Sequence, residues 1–336
     1  MPSLRSTAVR IVIELSGEHP TLPRAEALAA MAAEGVDVRS VIFGPQVLRL
    51  DATGPVERAA RRLGLAHIVS AELASGDMDT ILGFARSVDL AGQSFRVRAR
   101  GLDVDLDLPS VEATVGAELG RTGIVNLDQP TNDYRLLVGT DFLLGRVLHR
   151  IDRSRLEATK VAHRPFSLPI SLHPKFARAL VNLARVPTAG VVLDPFCGTG
   201  GILLEASAMG LRGVGSDVHR KMVVGARSSL RLGGATADLA VADAGRLPLR
   251  SGGVHGIATD PPYGRAASTR GEPIGRLYSR AFRAFAELLP AGKNVAVPLP
   301  SEKMIDVGSE SLDLVEVHTL RVHRSLVRHF CVFVKP

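Results

Sequence analysis

Tryptophan is absent from this 336-residue chain, tyrosine occurs 3 times, and aromatic residues together make up 4% of it. Any surface that stacks on a planar ligand must therefore rest on very few side chains. Cysteine is just as scarce. Cys197 and Cys331 are the only two, too few for a disulfide framework or a thiolate metal knuckle, so a reducing cytoplasm is expected and a metal centre is not. No apolar run approaches the roughly 18–20 residues of a membrane span. The first 20 residues have only Ile11-Val12-Ile13 as an apolar centre, too short for a signal peptide, so no membrane partner is expected. Lysine is the last scarcity, with 6 against 35 arginines. A planar fork of donors suits phosphate oxygens better than a point charge does. A GC-rich genome produces the same bias, so it permits a nucleic-acid partner without requiring one.

The length allows two or three domains. The net charge of +7 is concentrated in the second half: residues 1–165 hold 20 Lys+Arg against 21 Asp+Glu, and residues 166–336 hold 21 against 13. In the first 73 residues, apolar periodicity predicts strands at Ala8–Glu14, Val36–Phe43, Gln46–Asp51 and Ala66–Leu73, with helices at Leu22–Glu34 and Pro55–Leu63. This βαββαβ order is that of a ferredoxin-like unit, a fold with many functions. Residues 74–148 read as a further α+β domain: a helix over Asp77–Leu90, a strand over Ser94–Arg100, a helix capped by Ser110, then strands at Tyr134–Gly139 and Phe142–His149. Alternation along Ser94–Arg100 puts Arg96, Arg98 and Arg100 on one face, either as a solvated stripe or as phosphate contacts. Residues 149–165 read as a basic linker, and a helix starting near Pro174 takes Ser171 or His173 as its cap.

Val191-Val192-Leu193 is continuously apolar, as in a parallel strand covered on both faces, and runs into Asp194-Pro195-Phe196-Cys197-Gly198-Thr199-Gly200-Gly201. Strand, glycine loop and helix form a Rossmann-type nucleotide site. Asp194 would repel a pyrophosphate. S-adenosylmethionine instead carries a sulfonium and an ammonium, so the acidic loop favours it over a dinucleotide. Asp217, with Val218, follows the next strand, where a carboxylate accepts both ribose hydroxyls. Asp243, with Ala244, follows a third strand and suits the adenine amino group. Asp260 follows a fourth. Four successive strands thus end in Asp at one sheet edge, far beyond the turn-forming habit of a single Asp. Cys197 has no histidine partner in the motif and reads as a packing residue.

Asp260-Pro261-Pro262-Tyr263 stops its strand abruptly, since neither proline can donate to a sheet ladder. The Asp260 carboxylate and the Pro261 carbonyl are two acceptors beside the flat face of Tyr263. They suit a planar base whose exocyclic amine needs partners for its hydrogens while its nitrogen reacts. Arg265, Arg270 and Arg276 follow in a Gly/Ser/Thr-rich loop that reads as an RNA-backbone contact or as a solvated loop. His318, His323 and His329 lack metal-like spacing.

With DPFCGTGG and DPPY in this order, residues 166–336 resemble a class I SAM-dependent methyltransferase of the amino-methylating kind, a Rossmann-like α/β fold whose mostly parallel sheet ends in an antiparallel hairpin. The whole chain resembles the archaeal tRNA guanine-10 N2-dimethyltransferases, through Arg164-Pro165-Phe166 to His173-Pro174-Lys175, Ala179–Ala184 and DPPYGRAAST from Asp260 to Thr269. Phe95–Arg100 and Val125–Pro130 resemble the THUMP domain of that family. The resemblance implies a cytoplasmic tRNA-modifying enzyme whose THUMP domain, residues 74–148, holds the acceptor end of tRNA. It implies a cofactor pocket from Phe166, Asp194, Phe196, Gly198, Thr199, Gly200, Gly201, Asp217, Val218, Asp243 and Ala244. It implies catalysis by Asp260, Pro261, Pro262 and Tyr263, and RNA contacts from Arg96, Arg98, Arg100, Arg265 and Arg270. A small zinc-binding activator protein, used by some relatives, is left open. So are a different tRNA position and a DNA adenine-N6 or cytosine-N4 substrate, because these amines would use the same acceptors.

Overall fold

The computed structural model describes residues 8–44, 46–158, 171–263, 269, 271–323 and 326–336. They divide into two compact units, each built on its own sheet. In chain order the first half contains β1 (Val9–Leu15), α1 (Leu22–Ala33), β2 (Asp37–Phe43), β3 (Val47–Thr53), α2 (Val56–Arg62), β4 (Ala66–Gly76), α3 (Met78–Ser87), β5 (Ser94–Gly101), α4 (Leu108–Leu119), β6 (Ile124–Val125), β7 (Asn132–Val138), β8 (Phe142–Arg150) and α5 (Arg153–Ala158).

The first unit is a single eight-stranded sheet in the order β2-β3-β1-β4-β8-β7-β5-β6. Its β2-β3-β1-β4 part is antiparallel throughout, the arrangement that the βαββαβ pattern predicts. The expected domain boundary between residues 73 and 74 falls inside β4. This long strand pairs with β1 along one edge and β8 along the other, so the two halves share a ladder. Beyond it, β5 and β7 run parallel, and α3 and α4 bury Ile81, Ala85, Val115 and Leu119 against Phe95, Val97 and Leu136. Helix α4 starts before the expected Ser110 cap: Asp107 is the N-cap, accepting from the Ser110 N–H at 3.4 Å, with Pro109 in the first turn. The expected basic linker begins inside β8 and includes α5, and residues 159–165 lie outside the described residues.

The second unit takes in Glu18–Val36 and Arg58–Leu65 as well as the chain from Asp152 onward. Its remaining elements are α6 (Pro174–Leu183), β9 (Val191–Asp194), α7 (Gly201–Ala208), β10 (Arg212–Asp217), α8 (Arg220–Leu232), β11 (Ala237–Val241), β12 (Gly256–Ala258), α9 (Ile274–Leu288), β13 (Asn294–Leu299), α10 (Glu302–Ser309), β14 (Asp313–His323) and β15 (Leu326–Val334). Of the two cap candidates for α6, His173 is the one that accepts from the Lys175 N–H. The sheet order is β11-β10-β9-β12-β13-β15-β14. The first five strands of that order are parallel, and β15 is antiparallel to both β13 and β14.

Helix α1 joins α6 in one apolar cluster containing Leu22, Ala29, Leu65, Ala177 and Leu180. Beneath it lies a buried polar network. Arg62 Nη1 donates to Glu34 at 2.7 Å and to the Val186 carbonyl at 2.9 Å, and its Nε donates to Asn182 at 3.1 Å. Glu26 accepts from the Gly64 and Leu65 N–H groups at 2.8 Å each and from Asn182 at 2.9 Å. Burial nevertheless pushes the Glu26 carboxyl up to about 7. Among the described residues no helix is long and apolar enough to cross a membrane.

Candidate active site

The order of strands reverses between β9 and β12, because the chain moves outward from β9 to β10 and β11 and then returns to β9's other edge. In open α/β sheets ligands bind at such a switch point, outside the carboxyl ends of the strands. Asp194 ends β9, Asp217 ends β10, and Asp243 and Asp260 stand two residues past the ends of β11 and β12. All four strands are parallel, so the four aspartates lie at one edge of the sheet, as expected.

Gly198 at φ +47° and Gly200 at φ +81° let the loop after β9 turn tightly, and Gly200 is the N-cap of α7. Asp217 holds the loop from the neighbouring strand: its Oδ2 accepts from the Gly198 N–H at 3.2 Å and its Oδ1 from the His219 N–H at 2.8 Å. Cys197 is buried among Leu203, Ala226 and Leu230, and burial pushes its thiol far up, so it packs and does not attack. Asp194 is 1% exposed. It accepts from the Thr259 hydroxyl at 2.6 Å and the Phe196 N–H at 3.3 Å. Burial, opposed by these bonds and reinforced by Asp260 and Asp217, pushes its carboxyl up to about 7. Thr259 thereby ties the glycine loop to the residue next to Asp260.

Asp260 is largely buried, with 16% of its side chain exposed. The Tyr263 hydroxyl donates to its Oδ1, and Arg328 Nη2 of β15 lies 4.0 Å from its Oδ2. Burial raises the Asp260 carboxyl, while Arg328 and the Tyr263 bond lower it. The Arg328 guanidinium sits 5.2 Å from the centre of the Tyr263 ring. Burial and the Asp260 charge keep the Tyr263 hydroxyl protonated. Tyr278 of α9 donates to the Pro262 carbonyl at 2.9 Å and pins the motif from below.

A buried carboxylate at the head of a glycine loop suits a cationic ligand and opposes a pyrophosphate, which is the donor chemistry S-adenosylmethionine requires. The chain is 36% identical over 332 residues to the tRNA (guanine(10)-N2)-dimethyltransferase of Methanothermobacter thermautotrophicus, an alignment covering 95% of this chain and 98% of that protein. The chain belongs to the tRNA (guanine(10)-N2)-dimethyltransferase family. The enzyme of that name from Pyrococcus abyssi is 31% identical, over 95% of this chain and 98% of its own length. The model of the RMKL-like methyltransferase domain matches residues 162–329. The crystal structure of TrmN from Thermus thermophilus has the same fold, with a TM-score of 0.54 at 24% identity over 97% of this chain and 100% of that one.

Not every residue expected in the family site is equally available. Thr199 and Ala244 are buried, and Phe196 packs against the core beneath β12 and β13. Asp243 does stand at the shared edge, but its carboxylate accepts from Arg280 at 3.1 and 3.2 Å and from the Gly245 N–H at 2.8 Å. Arg280 in turn is gripped by Glu272 at 2.8 Å. Phe166, Arg265 and Arg270 lie outside the described residues. Arg276 is exposed beside Glu272 at 3.7 Å.

In the first unit the arginine stripe is engaged by carboxylates of β1, α4 and β7. Arg96 makes a two-pronged bond to Asp133 at 2.7 and 2.8 Å, Arg98 reaches Glu112 at 3.2 Å, and Arg100 reaches Glu14 at 3.1 Å. Alternation gave the shared side of these arginines but not their partners. Arg328 and Tyr278 were not singled out in the sequence. Arg328 sits in an alternating strand, and only the sheet order brings that strand near the motif.

Proposed function

We propose that this chain transfers methyl groups from S-adenosylmethionine to N2 of guanosine 10 in tRNA, forming N2-methylguanosine and then the N2,N2-dimethyl product. The observation that carries the reading is the Asp260-Pro261-Pro262-Tyr263 motif at the carboxyl end of β12, tied through Thr259 to the acidic glycine loop of β9, in a chain of this family. Its relatives are named for the position-10 reaction.

When bound, S-adenosylmethionine supplies an electrophilic methyl group on a sulfonium. The chain's own residues supply orientation. Guanine N2 is a poor nucleophile because its lone pair is delocalised into the ring. Asp260 and the Pro261 carbonyl accept the two N2 hydrogens, which pyramidalises the nitrogen and aims its lone pair. The Tyr263 ring stacks on the extruded base, and its hydroxyl steadies Asp260. The methylated nitrogen is strongly acidic until it loses a proton, which Asp260 receives and passes to water. Asp194 at the loop head faces the cationic groups of the cofactor, and Asp217 takes the ribose hydroxyls. Contacts to the RNA backbone fall to Arg265 and Arg270 and, where tRNA outcompetes their carboxylate partners, to Arg96, Arg98 and Arg100.

The test is methyl transfer to three unmodified tRNA transcripts: guanine at position 10, adenine at position 10, and inosine at position 10, which lacks the N2 amine. Label is expected only with the first, and only in N2-methylated guanosine after nuclease digestion. Equal label with all three refutes the position. Turnover by the purified chain alone shows that no zinc-binding activator is needed, whereas turnover only on its addition shows the opposite.

A further inference from the structure

A charged side chain that the four-residue motif does not contain completes this site. Arg328 projects from β15, the strand two places from β12 in the sheet. It is 7% exposed, its Nη2 lies 4.0 Å from Asp260 Oδ2, and its guanidinium lies over the Tyr263 ring. Its buried Nε has no hydrogen-bond partner among the described residues. A buried guanidinium with an unmet donor is costly, and one placed against both halves of a catalytic motif is badly explained by packing alone. We infer that Arg328 is a positioning residue of this site, fixing the Tyr263 ring from one side and holding Asp260 as the carboxylate that receives the N2 proton.

The inference rests on the proposed function, and the proton balance shows why charge matters. As the nitrogen–methyl bond forms, the methyl–sulfur bond breaks and its electron pair leaves with sulfur. The nitrogen becomes cationic and gives one proton to Asp260. A protonated Asp260 can neither take that proton nor accept both hydrogen bonds in the approach. The groups facing Asp260 are Arg328 from β15, Tyr263 in the motif, Tyr278 from α9 and Asp194 from β9. Tyr263 and Tyr278 are neutral and Asp194 is acidic, so Arg328 is the cation among them.

The experiment compares wild type, Arg328→Met and Arg328→Lys in single-turnover methyl transfer to tRNA from about pH 5.5 to 9, where an acid limb reports the essential base. The Asp260 carboxyl is followed separately in the free proteins by carbon-13 NMR, with Asp260→Asn giving the assignment. Thermal unfolding checks each variant, and Arg328→Gln replaces the methionine variant if that one does not fold. Loss of a cation about 4 Å away moves the acid limb and the Asp260 titration upward by about 1–3 pH units. At a pH on the wild-type acid limb the rate then falls about tenfold or more, and it recovers as pH rises. Arg328→Lys keeps the limb near its wild-type place. A methionine variant slowed by one factor at every pH, or a lysine variant shifted as far as the methionine one, overturns the inference. If wild type leaves tRNA unmethylated, the proposed function fails, and the NMR titration still decides whether Arg328 sets the state of Asp260.

Discussion

Thr259→Val tests the link between the cofactor loop and the catalytic motif. Thr259 Oγ1 donates to Asp194 Oδ1 at 2.6 Å with both residues buried, and valine keeps the shape while removing the donor. A hydrogen bond to a charged group contributes about 1.5–3 kcal/mol, and one pH unit in a carboxyl's titration corresponds to about 1.4 kcal/mol. Losing it therefore raises the Asp194 carboxyl by about one to two pH units above its value of about 7. At neutral pH wild-type Asp194 is about half ionised, and the variant only about one-tenth to one-hundredth. If the cationic cofactor is held by ionised Asp194, its affinity falls about 5- to 50-fold at pH 7. The assay is calorimetric titration of S-adenosylmethionine into both proteins between about pH 6 and 8. Binding to wild type should tighten as pH rises through Asp194's titration, and the variant's curve should lie at higher pH. Equal affinity with the same pH dependence refutes the role given to Asp194.

Three further substitutions separate contributions elsewhere. Tyr263→Phe keeps the ring and loses only the donor to Asp260, so kcat/KM should fall by about tenfold or less. Tyr263→Ala also loses a stacking face, at about 1–3 kcal/mol, and should cost about 5- to 150-fold beyond the phenylalanine variant, so equal losses would argue against stacking. Glu26 titrates at about 7 in the folded chain against 4.5 as an ordinary side chain, so the folded state holds its proton longer. The contribution of Glu26 to stability should then be greatest below about pH 4.5 and fall by about 3 kcal/mol as pH rises through 7. Glu26→Gln removes that titration but turns an amide donor toward the Leu65 N–H, a loss of about 1–3 kcal/mol. In urea unfolding it should be less stable than wild type near pH 5 and close the gap near pH 8, whereas a constant gap contradicts the reading.

What the sequence made legible follows from locality. Parallel strands covered on both faces are continuous apolar runs, and each ends where its loop begins, so the aspartates of β9, β10, β11 and β12 could be placed at one edge without coordinates. The βαββαβ order likewise follows from periodicity. Partnership across the chain was hidden. Helices α1 and α2 look like the covering layer of the first sheet, yet Glu26, Glu34 and Arg62 interlock with Asn182 of α6. The arginines of β5 share a side by alternation, but their carboxylates come from β1, α4 and β7. Asp243 is at the expected edge, and its hold on Arg280 is visible only once α9 is folded over it. Arg328 reads as one more residue of the terminal hairpin until the sheet brings it over Tyr263.

The most direct measurement is on Asp260→Asn, which keeps the shape and an acceptor oxygen but removes the proton-accepting charge. Affinity for S-adenosylmethionine is measured beside formation of N2-methylguanosine in unmodified tRNA. The expected result is cofactor affinity within about twofold of wild type and a rate lowered at least about 100-fold. A variant that binds the cofactor and methylates guanosine 10 at the wild-type rate contradicts the assignment of the reaction to this edge of the sheet.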